Sequence, residues 1–160
     1  MHRLSVGTRT GGHFVSINRD VTAGESICYL AGDVIDTASR FSIQLDHNTH
    51  LVPHSIGVDA NGVALTPWIY TNHSCSPNAR IRGRELVATR TIHSGDEITF
   101  DYETSEWDMA EPFHCLCGSP ECRKLIRGFK HLDPSVREQL RANVSDYLLR
   151  EMETAQAELA

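Results

Sequence analysis

The chain has 160 residues, 40% hydrophobic and 22% charged, a balance that suits one compact domain with its own core and leaves little room for two. Its formal net charge of -6 argues against nonspecific or direct nucleic-acid binding and suits a basic partner such as a lysine-rich peptide. With no run of about 18 apolar residues and no apolar signal stretch at Met1, the expectation is an intracellular protein that makes no membrane contact, with cytoplasm and nucleus not distinguished.

From the N-terminus, short β-type runs bounded by Gly, Asp, Asn or Pro are expected at 13–17, 26–30, 41–45, 85–88 and 97–100. The stretches Val21-Thr22-Ala23-Gly24-Glu25 and Ile92-His93-Ser94-Gly95-Asp96-Glu97 share a texture of apolar residue, small polar turn, then Gly and an acid, and read as one turn type used twice. Asp133-Pro134 marks a helix start. Val136, Leu140, Val144, Leu148 and Met152 then recur every four residues, with Tyr147 beside them, which predicts one helix from about 134 to the low 150s, packed on the body and fraying toward Ala160.

The residues with chemistry lie between these elements. Asn72-His73-Ser74-Cys75 is a polar turn directly after the apolar Trp68-Ile69-Tyr70, and Cys115, Cys117 and Cys122 follow some forty residues later in a Cys-x-Cys-x4-Cys run with Gly118 and Pro120 making the turn. These four thiols are the number a tetrahedral zinc site needs. Five cysteines in a reducing compartment then divide into four ligands and one bystander, Cys28, with His114 as the competing ligand.

Asn72-His73-Ser74-Cys75-Ser76-Pro77-Asn78, then Gly95-Asp96-Glu97-Ile98-Thr99-Phe100-Asp101-Tyr102, then the three-cysteine run, together resemble the SET-domain protein-lysine N-methyltransferases with a post-SET zinc motif. The resemblance extends back through Gly12-His13-Phe14 and covers residues 5 to 128. It implies a mostly β, pseudoknotted fold with short helices, divided as a SET domain at 1–104, a post-SET zinc segment at 105–130 and a C-terminal helix at 131–160. The activity implied is transfer of methyl groups from S-adenosyl-L-methionine to a lysine side-chain amine of a histone or nonhistone protein. The same resemblance implies Tyr102 as the catalytic hydroxyl and Gly12, His13, Phe14, Asn72, His73, Tyr102 and Leu116 as cofactor contacts. Phe100, Tyr29, Tyr70 and Trp107 become substrate-channel residues, with Phe100 suggesting room for more than one methylation. One structural zinc ion would be held by Cys115, Cys117, Cys122 and, as the fourth thiol, Cys75.

Lysine chemistry fits such a design. An amine with a pKa near 10.4 carries its lone pair in roughly one molecule in a thousand at neutral pH. A narrow apolar channel disfavours its charged form, and the sulfonium pushes the same way, so alignment remains as the main task.

The chain departs from the family pattern at Thr10-Gly11-Gly12, at Ile69-Tyr70-Thr71 and at Tyr29-Leu30-Ala31-Gly32, which bears on the shape of the amine pocket. The insert at 33–65 is short, and a more open groove makes a small amine or free amino acid an alternative acceptor to a protein. A noncatalytic SET-fold binding module is the third reading, and the oligomeric state is open.

Overall fold

The computed structural model describes residues 4–158, so the expected fraying at Ala160 lies outside the described residues. β1 (Leu4–Arg9) and β2 (Gly12–Ile17) form an antiparallel hairpin. β3 (Ser26–Tyr29) is followed by β4 (Asp33–Ile35), β5 (Ile43–Asp46) and β6 (Thr49–Val52), the last three forming a sheet in the order β4-β6-β5. β7 (Asn72–His73), β8 (Ala79–Arg82), β9 (Glu85–Ala88) and β10 (Thr99–Phe100) complete the central part. Here β3-β9-β8 is one antiparallel sheet, while β7 and β10 run parallel with Thr99 opposite Asn72 and Phe100 opposite His73. β11 (Phe113–His114) and β12 (Leu125–Ile126) pair around the cysteine segment. The chain closes with α1 (Pro134–Leu140) and α2 (Asp146–Glu158).

Strand alternation explains the core. On β2, Val15 and Ile17 are fully buried while Gly12 and His13 stay exposed, and the inward set continues through Val21, Ile27, Leu30, Leu51, Ile81, Leu86, Ile92 and Ile98. Two smaller clusters stand apart: Phe129, Val144, Tyr147, Leu148 and Met152 under α2, and Cys75, Cys115 and Ile126 at the cysteine segment. The site lies where the main core meets the cysteine cluster, because Tyr102 packs against both.

The repeated turn is present twice, and the two copies face each other. Val21 and Ile92 exchange both backbone hydrogen bonds at 2.9 Å, and each turn is closed by a carboxylate three residues on, Glu25 to the Thr22 N–H and Asp96 to the His93 N–H. Gly24 and Gly95 have φ of 85° and 94°, a left-handed conformation that a side chain would strain.

Three expectations are corrected. The strand at 97–100 is split between partners: Glu97 and Ile98 bridge to β2, and only Thr99–Phe100 pairs with β7. The strand expected at 41–45 begins later, at Ile43. The single C-terminal helix is two, because the Ser145 N–H donates to Thr104 O at 2.7 Å and pulls the chain out of helical register after Leu140. α2 packs on the body as expected, with Tyr147 Oη donating to Ser105 O at 2.7 Å.

Candidate active site and metal centre

The parallel pairing of β7 with β10 sets Asn72 and His73 beside the start of the Tyr102 turn. Asn72 Nδ2 donates to His13 O and to Glu97 Oε1, both at 2.9 Å, tying β2, β7 and the approach to β10 into one unit. Asn78, from the same polar segment, grips the other side by donating to Glu97 O and accepting from the Thr99 N–H. The Tyr102 N–H donates to His73 Nδ1 at 3.1 Å, so the proton of a neutral ring sits on Nε2, which lies 3.3 Å from Cys75 Sγ. Burial, reinforced by Arg123, pushes the His73 pKa down to about 3. Its 3.6 Å approach to Asp101 is therefore a contact of a neutral ring and not an ion pair.

Tyr102 Oη donates to Thr71 O at 2.8 Å. Burial, and then the charge of Glu106, raises the phenol pKa above its usual value, so this hydroxyl stays protonated at neutral pH and acts as a hydrogen-bonding group. Around it His73, Phe100 and Phe113 pack with ring centroids 5.3, 4.8 and 5.9 Å away. Phe113, absent from the expected set, wedges the cysteine segment against His73 and Tyr102.

Other expected residues are placed less uniformly. Gly12, with φ of 131° and open space where a Cβ would stand, leaves the β1–β2 turn accessible, and the His13 ring stacks at 4.9 Å on Tyr70. Tyr70 thus sits by the hairpin and not in the cavity beside Tyr102. The Phe14 ring covers Gly7 and receives the Arg9 guanidinium at 5.0 Å, so it points away from His13. Leu116 is 94% exposed. Tyr29 is not part of this cluster: it is 60% exposed and carries Arg84 over its ring at 5.2 Å. Trp107 also departs from the channel, since its ring packs with Phe129 in the cluster under α2.

The four thiols of Cys75, Cys115, Cys117 and Cys122 converge so that their sulfurs all lie within 4.8 Å of one another, and none is in a disulfide. A tetrahedral ion with Zn–S bonds of about 2.3 Å holds its sulfurs roughly 3.8 Å apart. Cys75 and Cys115 are 4.0 Å apart, so the set fits such an ion. Backbone N–H groups of Cys117 and Arg123 point at Cys115 Sγ and Cys75 Sγ, both at 3.4 Å, as negative sulfur requires. Against its burial, the Cys117 pKa is drawn down to about 6 by the N–H groups of Cys75 and Ser119, while burial pushes Cys115 up to about 11. His114 is exposed and outside the group, and Cys28 packs in the main core with burial pushing its pKa to about 12.

Arg123, also absent from the expected set, clamps the cysteine segment to the Tyr102 turn. Its NH2 reaches both Asp101 oxygens at 2.6 Å and its Nε reaches Glu103 at 2.8 Å, with both carboxylates 1% exposed. Burial works against the guanidinium charge, but Asp101 and Glu103 outweigh it and hold the pKa above its usual value. Glu103 also accepts the N–H groups of Arg127 and Gly128, and at Gly128 a Cβ would stand 2.6 Å from Trp107 O. Arg123→Lys keeps the charge and loses the fork. We expect it to cost about 1–2 kcal/mol of stability in urea unfolding of the metal-loaded protein. An unchanged midpoint would remove the clamp from this account.

Beside Tyr102 opens a cavity of about 560 Å³ whose walls include Ile43, Trp68, Ile69, Thr71, Phe100 and Glu106. Burial pushes the Glu106 carboxyl up to about 7. The neutral acid is favoured in the fold, so its contribution to stability is complete below the ordinary carboxylate range and is lost as pH rises through 7. Glu106→Gln keeps an acceptor for the Gln44 N–H bond. It should gain on the wild type by on the order of 2 kcal/mol between about pH 5 and pH 8 in urea melts. A pH-independent difference would contradict this.

Residues 12–103 match the family described as SET domain. The chain is 38% identical over 98 residues to "Methyltransferase flvH" of Aspergillus flavus, covering 58% of this chain and 55% of that protein. It is 29% identical over 147 residues to "Histone-lysine N-methyltransferase, H3 lysine-36 specific" of Debaryomyces hansenii, covering 82% of this chain and 20% of that one. The chain therefore spans little more than half of the first relative and a fifth of the second. Among solved structures, "KRYPTONITE in complex with mCHG DNA and SAH" superposes with a TM-score of 0.59 at 23% identity, over 77% of this chain and 28% of that one. At that identity the likeness concerns the fold. No helix of the described residues is long and apolar enough to cross a membrane.

Proposed function

The chain belongs to the SET-domain family, and from that membership we propose that it is an S-adenosylmethionine-dependent N-methyltransferase acting on the lysine side-chain amine of a protein or peptide. The observation that carries the reading is the joint placement of Asn72, His73 and Tyr102 by the β7–β10 pairing, with the Tyr102 hydroxyl at the edge of a largely apolar cavity. S-adenosylmethionine, when bound, supplies a methyl group activated by positive sulfur. Everything else falls to the chain. Gly12 and His13 offer open backbone, Asn72 and His73 hold the adjoining strands, and the apolar walls strip water from the amine and disfavour its protonated form. Tyr102, a protonated hydroxyl, orients the nitrogen and takes no proton from it. Phe100 stands where a bulkier polar ring would narrow the space, which suits more than one methylation.

The four cysteines are proposed to hold one structural zinc ion. Relatives named for histone lysine support a protein substrate, and the net charge of -6 suits a basic one within the cell. Solved KRYPTONITE complexes contain DNA and a histone H3 peptide, whereas direct nucleic-acid binding is no part of the reading here. A small free amine is the second reading, favoured by the short insert sheet β4-β6-β5 at the cavity. Labelled-methyl transfer offered to a protein extract and to a metabolite extract separates the two. Label in protein lysine supports the first, and label only in small amines supports the second.

A further inference from the structure

The cavity beside Tyr102 holds one charged group that methyl transfer as described does not use. Glu106 is 9% exposed and forms no ion pair among the described residues. Its side chain accepts from the Gln44 N–H at 2.8 Å and the Ser105 hydroxyl at 3.4 Å, both on Oε1; among the described residues no hydrogen bond reaches Oε2. On the same lining, Thr71 Oγ1 is buried with no partner, and Tyr102 Oη spends its proton on Thr71 O, which leaves its lone pairs. The lining's Arg40 is at the exposed rim, 3.7 Å from Glu111, and the remaining walls are mainly apolar, among them Ile43, Trp68, Phe100 and Met109. The cavity is thus rich in acceptors, poor in donors and negative at its buried end.

We infer that Glu106 determines specificity in this cavity, its carboxylate receiving the ammonium head of an alkylamine whose chain lies along the apolar walls. The inference rests on the methyltransferase reading only in naming that amine the acceptor. An ammonium has three N–H donors, and Glu106, Thr71 Oγ1 and Tyr102 Oη offer three acceptors. A buried carboxylate without a partner is costly, and burial accordingly pushes Glu106 up to about 7 when the cavity holds no cation. An entering ammonium supplies the missing partner through a charge-assisted hydrogen bond. A neutral alcohol of the same length has no charge to offer and is rejected. The structural role of Glu106, joining β5 to the Tyr102 turn through Gln44, is separable, because glutamine keeps that acceptor and loses the charge.

The test uses the full chain loaded with metal, with n-butylammonium and n-butanol as probes in calorimetry at about pH 8. Wild type should bind n-butylammonium and discriminate against n-butanol. Glu106→Gln should weaken n-butylammonium binding about tenfold or more with its fold intact, and Glu106→Asp should recover part of the loss. Equal n-butylammonium binding by wild type and Glu106→Gln, or none by wild type, overturns the inference. A wild type that binds the amine through Glu106 yet transfers no methyl sinks the methyltransferase reading and leaves this one standing. Methyl transfer with an unchanged acceptor KM in Glu106→Gln does the reverse.

Discussion

Tyr102→Phe should lower the rate of labelled-methyl transfer by roughly 10³-fold while the protein stays folded, binds S-adenosylmethionine and retains its metal. The variant removes one oxygen. The ring keeps its packing against His73, Phe100 and Phe113, and the backbone N–H keeps its bond to His73 Nδ1, so the architecture around it is undisturbed. What disappears is a positioned hydroxyl, and the loss of one preorganised hydrogen-bonding group at a reacting centre costs on the order of 10²–10³ in rate. Because burial raises the phenol pKa, no ionised tyrosine is lost, and the effect should be flat across neutral pH. A variant with wild-type activity would show that Tyr102 is a packing residue.

Removing the metal, by chelator or by Cys75→Ser, should weaken S-adenosylmethionine binding by on the order of 10²-fold and abolish transfer at chelator concentrations that leave the main melting transition in place. The reason is where the cysteine cluster sits. Cys75 lies two residues from His73, whose Nε2 points at its sulfur and whose Nδ1 holds the Tyr102 N–H. Phe113 and Arg123 flank the same thiols and reach Tyr102 and Asp101. The main core, from Val15 to Ile98, is a separate cluster and does not depend on these contacts. Loss of binding, activity and the main melting transition in parallel would contradict this division.

Much of the site was legible in the chain because its parts need particular residue types. Three cysteines at close spacing with Gly118 and Pro120 can be read as a ligand loop, and Asn72-His73 after an apolar run reads as polar groups awaiting partners. The twin turns were legible for the same reason, since Gly24 and Gly95 occupy a conformation that other residues resist. Tertiary contacts hid the rest. The break before α2 depends on the Ser145 N–H reaching Thr104 O, which no periodicity records, and the apolar stripe from Val136 to Met152 runs across it unbroken. Tyr29 and Trp107 were expected in the channel by position, but Arg84 and Phe129 hold their rings elsewhere. Arg123 and Glu106 carried no signal at all: each is an ordinary surface residue type until the fold buries it against Asp101 or beside Tyr102.

The central claim is that these residues build an amine methyl-transfer site. Incubating the metal-loaded protein with methyl-labelled S-adenosylmethionine and a protein and metabolite extract, with Tyr102→Phe in parallel, tests it most directly. The account predicts label on an amine nitrogen, identified by mass spectrometry, with wild type and almost none with the variant. A folded, metal-loaded wild type that labels nothing, or a variant that labels equally, would contradict it.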